Sequence, residues 1–373
     1  MADRPIRIGY SLSSEEHAPA VLVDHARMAE QAGFGYALIS DHYHPWTDRQ
    51  GESGFVWSVL GAIAQATDRM TLGTGVTCPT IRIHPAVIAH AAATVATLMP
   101  GRFFLGVGTG ENLNEHILGD RWPSLEMRQD MLEEAIGVIR LLWSGGLQSH
   151  RGTYFEVENA RIYSLPPEPP PIYIAASGPD SARLASRIGD GLISVAPIAD
   201  VVQEFDNGDV GRSKAGERPR ASERPRASER PKLGQLTVCW ARSEGEARRT
   251  AREVWPTAAI HGAASQELPL PAHFEQLTKD VSEDQVAKQI VCGPDPDRHL
   301  AAIREYVDAG FDHVFIHQVG PDQEGFMRFA QDEILPAFGA DRGLVGAGAR
   351  ATGATTDGVA GSKDRTDRSH DRR

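Results

Sequence analysis

The chain has 373 residues, 41% hydrophobic and 24% charged, an ordinary globular composition with length for one barrel-sized domain or two smaller ones. A formal charge of −12 excludes the basic stripe that nucleic-acid binding requires. No apolar run is long enough to span a membrane and the N-terminus lacks a secretory core. Three scattered cysteines, Cys78, Cys239 and Cys292, suit reduced thiols in a cytoplasmic protein.

The apolar run Ile6–Ser11 predicts a first strand and Pro19–Ala32 a helix, with Gly33 placed for a left-handed cap. Tyr36–Ser40 predicts the second strand. Directly behind it stand Asp41, His42, His44 and Trp46. Alone, Asp41 would cap a turn and Trp46 would pack. Beside a histidine at a strand end they mark a site, because imidazole is the natural general base near neutral pH and indole can cover a flat ring.

Gly54–Ala66 reads as a helix, Met70–Val76 as the third strand and Pro85–Leu98 as the next helix. Phe103–Gly108 is the fourth strand, followed by Thr109, Gly110, Glu111 and Asn112. The glycines permit close backbone approach to a ligand, and Glu111 brings a carboxyl to the same end of the sheet; its bland reading is a solvated loop acid. Leu125–Trp143 is a long amphipathic helix, and Ile172–Ala176 is the fifth strand. Ala175, Ala176, Ser177 and Gly178 then lead into the helix Ser181–Ile188, and small residues with free amides at a helix start suit an anion. Gly191–Val195, Gln235–Ala241 and His313–Gln318 complete eight strands, with helices Glu244–Trp255 and Asp297–Ala309 between them.

Eight strands alternating with helices predict an α/β fold, a (β/α)8 TIM barrel, whose chemistry lies at the C-terminal ends of the strands. The open-sheet alternative lacks its fingerprint: Gly106-Val-Gly108-Thr-Gly110 does not continue as GxGxxG. His42-Tyr43-His44 also raises a metal-dependent barrel hydrolase. That chemistry needs further histidines and an aspartate on later strands, but the fifth ends in Ala175-Ala176-Ser177 and the eighth in His317-Gln318.

Two segments stand apart. Glu217–Pro231 repeats the hexapeptide Glu-Arg-Pro-Arg-Ala-Ser, and with its flanks (212–232) it is expected to be a disordered insertion. The Gly-, Thr- and Asp-rich tail 339–373 is expected to be disordered too, leaving one domain over 1–338.

Ser40-Asp41-His42, Pro45-Trp46, Gly73-Thr74-Gly75-Val76-Thr77-Cys78-Pro79-Thr80, Pro85-Ala86-Val87-Ile88-Ala89, Gly106-Val107-Gly108-Thr109-Gly110-Glu111 and Tyr173-Ile174-Ala175-Ala176-Ser177-Gly178-Pro179 together resemble the coenzyme F420-dependent branch of the luciferase-like oxidoreductases, in its glucose-6-phosphate dehydrogenase-like group. The resemblance spans about residues 4–338. It implies a barrel, a homodimer, and a deazaflavin at the C-terminal face exchanging hydride with a small organic molecule. Carried over by position, His42 would be the base on the substrate hydroxyl, Trp46 would stabilise developing charge, Glu111 would donate a proton at the N1 side of the ring, and Glu15 would face the substrate. Asp41 would touch the ring edge. Gly75, Val76 and Cys78 would back the ring, and the Gly75–Val76 peptide would be cis. Thr109, Gly110 and Asn114 would line it, while Ala175, Ala176, Ser177 and Gly178 would hold the coenzyme phosphate. An FMN monooxygenase shares the barrel, but Trp46 with Glu111 favours the deazaflavin.

One departure bears on the substrate. Two lysines and an arginine hold the sugar phosphate in that group, and their places fall here at Ile198, Ser265 and Gln289, with a substrate histidine at Gln266. Each lost charge-assisted bond removes about 1.5–3 kcal/mol. His261 or His273 could substitute. The expectation is an F420-dependent oxidoreductase that does not favour glucose 6-phosphate, with a sugar-phosphate dehydrogenase as the alternative.

Overall fold

The computed structural model describes residues 6–208, 225–260 and 262–339. Strands β1 (Arg7–Leu12), β2 (Tyr36–Ile39), β3 (Thr71–Thr74) and β4 (Phe103–Val107) pair in parallel in sequence order. An antiparallel hairpin, β5 (Gln148–Arg151) and β6 (Glu156–Ala160), interrupts the series outside the sheet. β7 (Ile172–Ala175), β8 (Gly191–Ser194) and β9 (Lys232–Cys239) follow, β10 (Val291–Cys292) hangs on the far end of β9, and β11 (His313–Gln318) returns beside β1. β9 pairs with both β8 and β11, so β1, β2, β3, β4, β7, β8, β9 and β11 close a barrel of eight parallel strands. This is a TIM barrel.

Helices α1 (Pro19–Ala32), α2 (Val56–Ala66), α3 (Pro85–Leu98), α4 (Asn112–Glu115), α5 (Leu125–Trp143), α6 (Pro179–Ile188), α7 (Ala199–Asn207) and α8 (Glu244–Val254) come first in the chain. The short α9 (Ala264–Glu267), α10 (Pro271–Thr278) and α11 (Glu283–Val286) precede α12 (Pro296–Asp308) and α13 (Gln323–Phe329). The expected ends of α1 hold, with Gly33 at φ 107° closing it through N–H bonds to the Ala29 and Glu30 carbonyls. The main core lies between barrel and helices, where Ile39, Leu72, Leu105, Ile174, Leu192, Val238, Val314 and Ile316 meet Leu22, Ile63, Ile88 and Ile139. A second cluster fills the barrel itself from Leu38, Phe104, Ile193, Leu233 and Phe315. Strands covered on both faces read as continuous apolar runs, which is why all eight were visible in the sequence.

The insertion expectation needs a correction. Residues 209–224 and the tail from 340 lie outside the described residues, but the last copies of the repeat do not. Ala227–Glu229 form a 3-10 turn, Ala227 is buried, and the buried Arg230 donates to the Ser186 and Pro225 carbonyls at 2.8 and 3.0 Å. Alanine and the arginine stem supply the apolar surface that the proline-rich composition hides.

At the mouth of the barrel, Gly106 of β4 and Thr74 of β3 are interlocked. The Thr74 hydroxyl donates to the Gly106 carbonyl at 2.7 Å and accepts from its amide at 3.1 Å. A Cβ at Gly106 would overlap the Thr74 carbonyl oxygen, which is backbone and cannot yield. Gly106→Ala should therefore lower stability by about 1–3 kcal/mol. Gly61→Ala, in open space within α2, should raise it by about 0.4–1 kcal/mol. Urea unfolding of the two variants beside the parent tests the pair, and equal midpoints would refute it.

Candidate active site

The strand ends bring most of the expected residues together. β1 lies between β2 and β11, so consecutive residues beyond its end serve opposite neighbours. Glu15 turns to the loop after β2, where its Oε1 lies 3.3 Å from His42 Nε2 and its Oε2 accepts from the Ser40 and Ser13 hydroxyls at 2.6 and 3.0 Å. Glu16 turns to β11, pairing with His317 Nε2 at 2.9 Å and accepting from the Gly320 amide at 3.0 Å. Burial pushes the Glu15 carboxyl up, but the His42 ring and the Ser40 hydroxyl outweigh it, and the net direction is below its ordinary value.

The orientation of His42 follows from its partners. Nδ1 lies 3.2 Å from the His44 carbonyl, which can only accept, so Nδ1 carries a proton and donates it. Nε2 faces the Glu15 carboxylate, a contact that is a hydrogen bond only when Nε2 carries a proton as well. The His42 ring leans on Trp46, with centroids 5.1 Å apart, and Trp46 is held edge-on by Phe274 at 5.3 Å. The Trp46 amide donates to Gln50 Oε1 at 2.8 Å, and Gln50 reaches across to the Val254 carbonyl at 3.2 Å. That loop is braced on both sides.

Asn114 joins the two polar clusters. Its Oδ1 accepts from the Tyr43 and His44 amides at 2.8 and 3.2 Å, and its Nδ2 lies 3.4 Å from Glu111 Oε2. His44 adds a second tie, its Nδ1 donating to the Leu113 carbonyl at 2.8 Å. The imidazoles of His42 and His44 thus serve separate backbone carbonyls. Among the described residues no three His, Cys, Asp or Glu side chains group to hold a metal.

The bed between these groups is built from small residues. The Gly75–Val76 peptide is cis, as the resemblance implies. A Cβ on Gly108 would meet Val76 Cγ2 at 2.8 Å and Ala175 Cβ at 3.3 Å. One on Gly110, whose φ is 78°, would strike the Cys78 sulfur at 2.6 Å. Both glycines pack too closely on their neighbours to accept a side chain, and they let the strand-end loops approach one another. Cys78 is buried with its thiol pushed well up by burial, which makes it packing rather than a nucleophile. Thr109 lies between Gly108 and Gly110 and is half-buried.

Asp41 is more committed than the sequence implied. Its Oδ2 accepts from the Thr77 hydroxyl at 2.7 Å and its Oδ1 from Arg82 Nη2 at 2.9 Å. Arg82 also faces Glu115, through its amide at 2.7 Å and its Nε at 3.5 Å. Neither Arg82 nor Glu115 was singled out from sequence, although an arginine inside the apolar stretch Thr80-Ile81-Arg82-Ile83, just past a strand end, was the available signal. The loop after β7, expected to hold an anion, has its amides engaged within the protein. The Ala176 amide is spent on the Ile193 carbonyl at 2.9 Å, and the Ser177 and Gly178 amides both contact Ser181 Oγ at 3.2 Å. An anion there would have to displace the Ser181 hydroxyl.

Comparison with known proteins bears on the same residues. A model of the luciferase-like monooxygenase family matches residues 5–313. The chain belongs to this family. It is 38% identical over 335 residues to the F420-dependent glucose-6-phosphate dehydrogenase of Microbacterium testaceum, covering 89% of this chain and 97% of that one. It is also 38% identical over 330 residues to the F420-dependent hydroxymycolic acid dehydrogenase of Mycobacterium tuberculosis, covering 88% and 87%. Among solved structures it resembles an F420-dependent secondary alcohol dehydrogenase in complex with an F420-acetone adduct, with a TM-score of 0.79 and 28% identity over 90% of this chain and 99% of that one.

Asn114→Ala would leave the Tyr43 and His44 amides without their shared acceptor in a buried position. The expected cost is about 1–3 kcal/mol per orphaned group, partly relieved by solvent. Thermal unfolding should show it, together with faster proteolysis of the loop around Tyr43. An unchanged melting temperature would remove Asn114 from this role.

Proposed function

We propose that the chain is an oxidoreductase that takes coenzyme F420 and moves hydride between it and a small organic alcohol or carbonyl compound. The observation that carries this reading is the Glu15–His42 pair beside Trp46, joined to Glu111 through Asn114, which binds the Tyr43 and His44 amides and the Glu111 carboxyl. The coenzyme would lie against the loops that carry Gly75, Val76, Gly108 and Gly110. Bound there, the coenzyme supplies a ring carbon that accepts or returns hydride.

The protein's residues handle the proton. With Nδ1 fixed as a donor, His42 presents Nε2 to a substrate hydroxyl, and the neighbouring Glu15 carboxylate stabilises the imidazolium that forms. The Trp46 indole closes over His42 and keeps water from the site. Glu111, oriented by Asn114, would act as the proton donor where negative charge develops on the reduced ring. By microscopic reversibility the same groups serve oxidation of an alcohol and reduction of a carbonyl compound. The metal-dependent hydrolase has no comparable group of side chains among the described residues.

The relatives named above act on chemically different alcohols, so their names do not choose the substrate. The surroundings of three positions favour a neutral or weakly charged one. Ile198 stands 39% exposed before α7, the Ser265 hydroxyl is turned to the Gly262 carbonyl at 3.4 Å, and Gln289 is exposed without charge. Gln266 accepts from the buried Arg128 at 3.2 Å, which ties that cation away from solvent. His273 lies on α10 beside Phe274, and His261 falls outside the described residues. Assembly as a homodimer in the cytoplasm belongs to this proposal too.

F420 should bind at micromolar concentration or tighter and FMN far more weakly in parallel calorimetric titrations, and a preference for FMN would overturn the assignment. His42→Ala should lower turnover by about 100-fold or more, the scale of a lost general base, while leaving F420 affinity within a few-fold. Glucose 6-phosphate should be a poor substrate beside uncharged secondary alcohols, and efficient turnover of it would overturn the substrate reading.

A further inference from the structure

Behind the bed lies a compact group of charges. Asp41, Arg82 and Glu115 have side chains 0%, 6% and 1% exposed, and they come from the loops after β2, β3 and β4. Fully ionised, the three carry a net charge of −1, and Glu111 faces Glu115 from the start of its own helix. Cys78 packs close by but is held as the neutral thiol. Glu115 packs directly against the Gly110 turn: its Cγ lies 3.1 Å from where a Cβ on Gly110 would stand.

The two carboxylates share Arg82 unequally. Asp41 takes a 2.9 Å bond from Nη2 and another at 2.7 Å from the Thr77 hydroxyl. Glu115 receives the Arg82 amide at 2.7 Å but only a 3.5 Å approach from Nε. A buried cluster with one excess negative charge relieves it by taking up a proton, and the carboxylate with the poorer cation contact takes it. Burial accordingly pushes the Glu115 carboxyl up to about 7, although Arg82 pulls the other way.

We infer that Glu115 is a positioning residue whose proton decides which redox form of the cofactor the site prefers. The inference rests on the F420 reading above. With the proton on, the Asp41–Arg82–Glu115 group is neutral and tolerates an anionic reduced ring. With the proton off, a buried negative charge stands behind the ring and favours the neutral oxidised form. No electron or hydride passes through Glu115; it acts through the field it sets.

The test is calorimetric titration of the protein with oxidised F420 and, anaerobically, with reduced F420 between pH 6 and pH 8, a window centred on the value of about 7. The preference for the reduced form should fall about fivefold across that window, the order of one partly screened unit charge. E115Q should flatten this drift, whereas E111Q should keep it. A drift that survives in E115Q, or no drift in the parent, overturns the inference.

A second measurement needs no cofactor. A carboxyl whose folded value lies above its unfolded one stabilises the fold at low pH, and that contribution is lost as pH rises through about 7. The parent should therefore lose stability relative to E115Q as pH rises from about 4.5 to about 7. A constant difference overturns the inference even if F420 binds. The expected slope without F420 binding would instead overturn the cofactor reading, and the inferred role with it. Should E115Q not fold, E115D moves the carboxyl one methylene from Arg82 and must shift the midpoint of the drift; an unmoved midpoint overturns the inference.

Discussion

The guanidinium of Arg82 is the interaction on which the rest of the site depends. It is the cation in contact with two buried carboxylates, Asp41 and Glu115, that arrive on different loops. Without it both would face low-dielectric surroundings with no counter-charge, a situation that costs about 3–5 kcal/mol when one partner of a buried pair is removed. Its backbone amide and its side chain both serve Glu115, so the loop after β3 is fixed in position as well as in charge. The cis-linked Gly75–Val76 segment, Thr77 and Cys78 lie in that loop. Through Asp41 and Thr77 the arrangement passes to the loop that carries His42 and Trp46.

The barrel and the site were legible to different degrees. The eight barrel strands appear in the sequence as apolar runs, and the long helices between them keep their boundaries within a few residues. Gln148–Arg151 and Glu156–Ala160 were not seen as strands, because both are polar and pair only with each other outside the barrel. Val291–Cys292 is too short to leave a pattern. Helix α7 is brief and follows directly on a strand-end loop, where Val201, Val202 and Phe205 are the apolar residues that mark it. Residues after strand ends could be named in advance, because the architecture itself puts them on one face. Arg82 and Glu115 were given no role in advance, since each matters through a partner far away in sequence. The same reason hid Ser181, whose hydroxyl occupies amides that composition alone assigned to an anion.

Glu15 and Glu16 show how the closed sheet divides labour. Adjacent in sequence, they leave β1 toward different neighbours, one to His42 and the other to His317. The first pair lies beside the loop that carries the chemistry. The second secures the turn after β11 through Gly320, and Trp255 packs against His317 with centroids 4.5 Å apart. A single register slip of β1 would exchange the two glutamates, so the parallel pairing of β1 with both neighbours is also what sets Glu15 rather than Glu16 beside His42.

The anchored end of the hexapeptide repeat bears on how this loop can change over evolutionary time. Ala227 and Arg230 fix the segment just ahead of β9, and Pro231 passes straight into the first residue of that strand. Replication slippage that adds or deletes a copy farther upstream leaves those anchors and the register of β9 untouched. The gene can therefore drift in units of eighteen nucleotides at this point. Selection on the barrel would see only the final copy.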